Sequence, residues 1–333
     1  MKRTILGGLG TAAALTLLGS AVAPVASAST VSPNAARDQI CEDPANARVM
    51  KGTSKWADPN TLTRKEAAAM EAQSQRIIAR NGIQTGARPN GSVKIRVHFH
   101  AITDRGGHGY VKKWRMKRQL QVMNLAFGGK TSPKASDTPF RFRLASINRV
   151  KKNRWYNANY FTHQGKVRLR EMRRELRVGD ARDLNLYIIG PKFGLLGLAT
   201  FPTDYKQSPR LDGAILLNGS LPGGNANFGP GAVYNQGDTA THEVGHWLFL
   251  YHTFQGSCSM LNDRVTDTPK QFAGDNIFVC DPSLDTCPPH STHSRDPVKN
   301  FMNYVDDPCM NQFTRGQRER MNTAWYIRQA LSD

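Results

Sequence analysis

The chain has 333 residues, 45 of them Lys or Arg against 26 Asp or Glu, for a formal charge of +19. That length suits one sizeable core or two modest domains. No zinc-finger, RNA-reading or helix-turn-helix pattern accompanies the basic excess, which excludes specific nucleic-acid recognition. Beyond the first residues no stretch is long and apolar enough to span a bilayer.

The chain opens MKR, runs apolar from Ile5 to Val25 and reaches Ala26-Ser27-Ala28, the order of a secretory leader. Cleavage is expected after Ala28, giving residues 1–28 as signal peptide and an extracellular mature protein with no membrane span. Gly7, Gly8, Gly10, Gly19 and Pro24 interrupt the apolar run and argue against a retained anchor. Five cysteines in an exported chain predict disulfides.

Residues 29–90 differ in composition, being polar and carrying Pro33, Pro44, Pro59 and Pro89. Thr63 and Glu66 have capping-box spacing at the start of one strong helix, and Asn81-Gly82 ends it. This segment reads as a pro-segment or as an N-terminal extension packed on a domain spanning 91–333. From Val93 the pattern changes. VKIRVHFHAIT alternates and sets Val93, Ile95, Val97 and Phe99 on one strand face. His98 and His100 lie on the other face and read as surface or packing residues. A helix at WRMKRQLQVMNLAF, a strand at FRFRLASINRV, a basic helix at VRLREMRRELRV and a buried strand at DLNLYIIG follow. Alternating strands and helices predict an α/β domain with a mixed, mostly parallel sheet. The short, glycine-containing LLGLATFP suits an edge strand, DGAILLNG supplies one more, and a glycine-rich loop leads onward without a phosphate-binding signature. The basic surplus between Arg141 and Arg182 reads as a solvated helix face, or as attraction to an anionic cell-wall or extracellular polymer.

Residues 239–252, TATHEVGHWLFLYH, carry the chemistry. His242 and His246, four apart, stack on one helix face where both imidazoles reach one metal ion. Glu243 stands beside the metal's open position, placed to take a proton from a zinc-bound water. His252 is six residues past His246, so the chain must leave the helix near residue 249 and turn back. Three imidazoles and a water complete a tetrahedral catalytic Zn2+.

This stretch resembles the metzincin signature H-E-x-x-H-x-x-G-x-x-H, and THEVGHW with LYHTFQGSC is similar to the pappalysin family of secreted zinc endopeptidases. One position departs: Phe249 stands where the signature has glycine, and left-handed backbone there would cost roughly 1–2 kcal/mol. The resemblance implies a metzincin-like zincin, with sheet and helices above the cleft and a loop-rich, disulfide-bonded part below. It implies that the strand around Leu198 and Ala199 roofs the cleft and takes extended substrate as an added strand. Four clustered cysteines permit three pairings; the resemblance implies Cys258 with Cys287 and Cys280 with Cys309, leaving Cys41 odd. Cys41 bears on latency, since a pro-segment thiolate can occupy zinc's fourth position, but DQICEDPAN is no clear switch motif.

In NFMNYVDDPC the resemblance implies Met302 as the turn beneath the metal and Tyr304 as a hydroxyl aimed at the developing oxyanion. It also allows Ca2+ among Asp263, Asp267, Asp275, Asp281 and Asp285, hard ligands in loops. Asp306 and Asp307 are candidates for a pocket favouring basic side chains. FTRGQRERMNTAWYIRQAL closes the chain as a helix with Gly316 as a soft spot.

The expected function is that of a secreted zinc endopeptidase acting on protein or peptide substrates. One rival is a zincin whose third ligand is a downstream glutamate, against which His252 speaks. The other is a cationic extracellular binding or adhesion module with a degenerate metal site.

Overall fold

The computed structural model describes residues 45–52, 62–190, 194–290 and 294–332. The expected leader and Cys41 lie outside the described residues. Strand β2 (Val93–Thr103) obeys its period-two pattern at the start, with Val93, Ile95, Val97 and Phe99 buried and Lys94 and Arg96 exposed. It pairs in parallel with β3 (Phe140–Lys151) and with β4 (Asp183–Ile189). β4 in turn pairs in parallel with β6 (Ala214–Leu217), and β5 (Leu195–Thr200) runs antiparallel to β6. Helix α2 (Lys113–Phe127) crosses between β2 and β3, and the short α3 (Asn153–Tyr156) with α4 (His163–Leu176) crosses between β3 and β4. The mixed, mostly parallel sheet of the expectation is therefore present.

Alternate residues of the strands supply two cores, as side chains on successive positions must face opposite ways. Leu184, Leu186 and Ile188 join Met116, Met123 and Phe127 of α2 in the larger one. Tyr187 and Ile189 join Leu169, Met172 and Leu176 of α4 in the other. The basic helix α4 thus buries an apolar stripe, while Arg168 is half-buried and Arg174 exposed. His100 belongs to the packing of this side: it stacks on Tyr187 at 4.9 Å and bonds Asn185 at 2.9 Å, and burial pushes its pKa down to about 4. His98 bonds Ser146 at the surface.

Two elements of the N-terminal segment pack on the rest of the described chain. Helix α1 (Arg64–Arg80) begins with the capping box read from Thr63 and Glu66, and Asn81 caps its end. It then packs Ala67 and Met70, with Leu62 before it, against Phe201, Phe249, Tyr251 and Ala324, and Glu71 pairs with Arg320 of the closing helix α6 (Arg315–Ala330). Before it, strand β1 (Ala45–Val49) lies outside β5, antiparallel, in a sheet ordered β1-β5-β6-β4-β2-β3. β5 is therefore not the edge it was expected to be. The physical reason is that its outward amides and carbonyls need partners, and Ala47 and Asn46 face Leu198 and Ala199 there.

Below the sheet the chain is loop-rich and closed by disulfides Cys258–Cys287 and Cys280–Cys309, each spanning 29 positions. Gly316, the expected soft spot, is required by contact: a Cβ there would lie 2.5 Å from Asp267 Oδ1, whose carboxylate caps the start of α6 through Thr314 and the Gly316 amide.

Candidate active site

Helix α5 (Asp238–Trp247) carries the HEVGH run and every one of its residues is buried. Its first turn is tied by Asp307, whose Oδ2 accepts the backbone N–H of Gln236, Gly237 and Asp238 at 2.8, 3.2 and 3.4 Å. A carboxylate there also complements the positive end of the helix. The last turn closes with Leu250 N–H on Gly245 O at 2.9 Å and Phe249 N–H on His246 O at 2.8 Å, the two bonds of a Schellman stop. Phe249 occupies the left-handed position of that stop at φ 73°. The chain reverses here and brings His252 back to the helix.

The Nε2 atoms of His242, His246 and His252 converge, with separations of 3.0 Å (242 to 246), 3.1 Å (246 to 252) and 3.2 Å (242 to 252). His242 Nδ1 lies 2.7 Å from Phe301 O and His246 Nδ1 lies 2.7 Å from Leu250 O. A carbonyl only accepts, so each Nδ1 holds the proton and each Nε2 turns a lone pair inward. Burial, with the neighbouring imidazoles and Arg48, holds His242 well below its ordinary pKa; burial likewise puts His246 at about 3. Neutral lone pairs facing one another at such distances call for a cation between them. Zinc–nitrogen bonds of about 2.0–2.1 Å in a tetrahedron separate ligand nitrogens by about 3.3–3.4 Å, so the donor set and its spacing fit zinc. Among the described residues this is the group of three or more His, Cys, Asp or Glu that comes together in this way.

Glu243 is fully buried beside the triad, and its Oε1 accepts the backbone N–H of Arg48 at 3.1 Å. Strand β5 can pass over it only because residue 197 is glycine: a Cβ there would sit 2.7 Å from Glu243 Cγ. Beneath the triad Met302 is buried, and Gly245 admits it, since a Cβ would lie 2.3 Å from its Sδ. The same turn presents Phe301 O to His242. Tyr304 stands edge-on to His252 with ring centroids 4.6 Å apart, within a stack that includes Phe254 and Phe278. Leu198 and Ala199 pair with β1, as described.

Sequence reasoning missed Arg48. It is wholly buried, donating to Thr239 Oγ1 at 3.0 Å, Asp307 Oδ1 at 2.8 Å and Val305 O at 2.6 Å, with its guanidinium carbon 5.3 Å from the Tyr234 ring centre. Asp238 faces the same pocket. Burial and the nearby Asp307 push its carboxyl well above the usual range, against the opposing pull of Arg48.

The acidic loop residues considered for calcium go different ways. Asp267 caps α6, Asp281 bonds Ser283, and Asp285 bonds Ser294. Asp263 is the buried one, and burial raises its pKa to about 8, against about 3.9 for a free side chain. Between those values the folded chain holds a proton the unfolded chain lacks, so stability is full below about pH 4 and falls as pH rises toward about 8. Melting temperature is expected to decline across that window and to decline less in Asp263→Asn; equal slopes would refute the effect.

Comparison with known proteins covers about three quarters of the chain. The family model described as pregnancy-associated plasma protein-A matches residues 226–325. An extracellular metalloprotease of Verticillium alfalfae is 37% identical over 248 residues, covering 72% of this chain and 80% of that protein. Another, of Pyricularia oryzae, is 34% identical over 260 residues, 78% of this chain and 83% of that protein. Among solved structures, Tannerella forsythia promirolysin aligns with TM-score 0.62 at 24% identity over 81% of this chain and 92% of its own. Mature mirolysin of the same organism, in complex with a cleaved peptide, aligns with TM-score 0.56 at 26% identity over 74% and 100%.

Proposed function

Because the chain belongs to the pappalysin family of metalloproteases, we propose that it is a secreted zinc endopeptidase whose site is the His242, His246 and His252 triad with Glu243. The observation that carries this reading is the convergence of three Nε2 atoms beside a buried carboxylate. Zinc held there would supply Lewis-acid activation of water and of the scissile carbonyl. Glu243 accepts the proton given up as water attacks and returns it to the leaving nitrogen. Leu198 and Ala199 align substrate by taking it as an added strand, in the place β1 holds. Met302 supports the imidazoles from below, and Tyr304 lends its hydroxyl to the developing oxyanion. The test is casein cleavage by the purified chain, with metal content measured alongside. A chelator should abolish cleavage and zinc restore it; cleavage indifferent to chelation would end the proposal.

Arg48 also marks a pocket for a substrate side chain. Its floor offers Asp307 Oδ1, Thr239 Oγ1 and the Val305 carbonyl, all acceptors, with Asp238 nearby. A guanidinium fits such a set better than an ammonium, whose donors are not a planar fork. Removing one partner of a buried pair costs about 3–5 kcal/mol. Asp307→Asn should therefore lower kcat/KM for a peptide with arginine just after the cut by about 10²-fold, and much less for one with leucine there. An equal loss on both would reduce Asp307 to its helix-capping role.

The names of the fungal relatives agree with secretion, and no helix among the described residues is long and apolar enough to cross a membrane. Calcium among the loop aspartates Asp263, Asp267, Asp275, Asp281 and Asp285 and contact of the basic surface with an anionic extracellular polymer are further proposals. Binding to such a polymer without peptide cleavage would instead favour an adhesion module.

A further inference from the structure

On this reading of the site, we propose that Asp212 and Arg328 are a positioning pair, which fixes the gap between the strand that takes substrate and the helix that carries the metal ligands. Asp212 lies in the turn between β5 and β6 and is 1% exposed; Arg328, in the last turn of α6, is wholly buried. Asp212 Oδ1 accepts the hydroxyl of Thr200, the last residue of β5, at 3.0 Å. Its Oδ2 accepts the indole N–H of Trp247, the last residue of α5 and the neighbour of His246, at 3.1 Å. Arg328 donates to each of these oxygens at 3.2 Å, and to Trp247 O and Ala181 O at 3.0 Å. Its guanidinium carbon lies 3.6 Å from the centre of the Trp247 ring, and Arg177 stands 3.7 Å from Oδ2 as a second cation.

The ends of β5 and α5 therefore meet on one carboxylate, three residues along the strand from the glycine that passes over Glu243. Apolar side chains could fill the same space without burying two charges, and replacing a buried ion pair in that way is often neutral or stabilising. Apolar contact lacks direction, however. The four hydrogen bonds that converge on Asp212 set the height of β5, and Trp247, held at its indole and at its carbonyl, sets the rotation of α5. The bond to Trp247 O also satisfies an orphan acceptor at the end of the helix, where a cation suits the dipole. Rotation of α5 would swing His246 and Glu243 together away from a peptide laid on β5. A misplacement of about 1 Å between reacting groups costs about 10²-fold in rate, while the strand still binds.

The experiment measures kcat and KM on a fluorogenic peptide with one arginine just after the cut, using wild type and variants matched by intact mass and zinc content. Thr200→Val unlinks the strand from Asp212, and Trp247→Phe removes the indole bond while keeping a ring under Arg328. Thr200→Val should lower kcat about tenfold with KM within about twofold; Trp247→Phe should lower it less, and Thr200→Ser, which keeps the hydroxyl, should restore it. Strand and helix are joined in series through Asp212, so the double variant should be no slower than Thr200→Val alone, although its losses of melting temperature add. In the metal-free protein, hydrogen exchange at the end of β5 should quicken in Thr200→Val while β3 keeps its protection. Arg328→Lys, which keeps the charge and loses the fork, should also lower kcat and keeps a readout if Thr200→Val fails to fold. Losses of kcat that multiply, that track melting temperature across the set, or that are absent, in a wild type that cleaves, overturn the proposal alone. Wild type that cleaves neither casein nor the peptide overturns the protease reading and this proposal with it.

Discussion

Glu243→Ala should bind zinc as the wild type does and lose nearly all cleavage. The three imidazoles that would hold the metal are oriented by Phe301 O, Leu250 O and the turn at Phe249, and none of these contacts involves the glutamate. Removing the carboxylate takes away the proton acceptor of the attack and the donor to the leaving nitrogen. General acid–base groups contribute about 10²–10⁴-fold, and one group serving both transfers belongs at the upper end. Glu243→Gln is the sharper control, since an amide keeps an oxygen for Arg48 N–H yet takes no proton at neutral pH. Activity within about threefold of wild type in the glutamine variant, with metal content equal, would contradict the role by far more than assay error when set against 10²-fold.

Phe249→Gly should weaken the protein although it restores the residue the family signature carries. The left-handed backbone at φ 73° costs a side chain about 1–2 kcal/mol, which glycine relieves. Against that, the ring is buried among Phe201 and Tyr251, with centroids 6.0 and 5.7 Å away, and the Arg320 guanidinium lies 4.5 Å above it. Deleting a buried phenylalanine costs about 3–5 kcal/mol, so the net loss is about 2–3 kcal/mol, or on the order of 5 °C in melting temperature. Arg320 also donates to Phe249 O at 2.7 Å, a bond the substitution keeps, so the loss comes from packing. A glycine variant as stable as wild type or more so would show that strain outweighs the cluster. Phe249→Ala, which keeps the strain and loses the ring, should be worse than either.

The sequence was most readable where chemistry or period acts over a few residues. The histidine spacing, the Thr63 and Glu66 cap and the alternation in Val93–Phe99 are local rules, and each appears in the fold where it was read. Even the left-handed turn could be anticipated, because His252 can reach the other imidazoles only if the helix stops at once. Its compensation could not: Leu62, Ala67 and Met70 lie well over 150 positions from Phe249 in the chain and meet it only in the fold. β1 left no signal at all. Ala-Asn-Ala-Arg-Val is short and poor in strand formers, and becomes a strand because β5 offers a row of unpaired amides and the pocket offers a place for Arg48. LLGLATFP was read as an edge for the same reason: its own residues carry no mark of a partner from 150 positions away. Cysteine count left three pairings open, and only the family resemblance selected the one observed.

Asp307 divides one carboxylate between two tasks. Oδ2 holds the start of the helix that carries the histidines, and Oδ1 holds the guanidinium in the pocket. Any cation that enters the pocket therefore binds the folded chain and not the unfolded one, and raises its stability by RT ln(1 + [L]/Kd). If the pocket seats a substrate arginine, as proposed, the enzyme would be least stable while it is empty, between the departure of one arginine and the arrival of the next. Self-digestion during that interval would be suppressed by substrate itself, so the working lifetime of the protease should lengthen as its supply of arginine-bearing peptide rises.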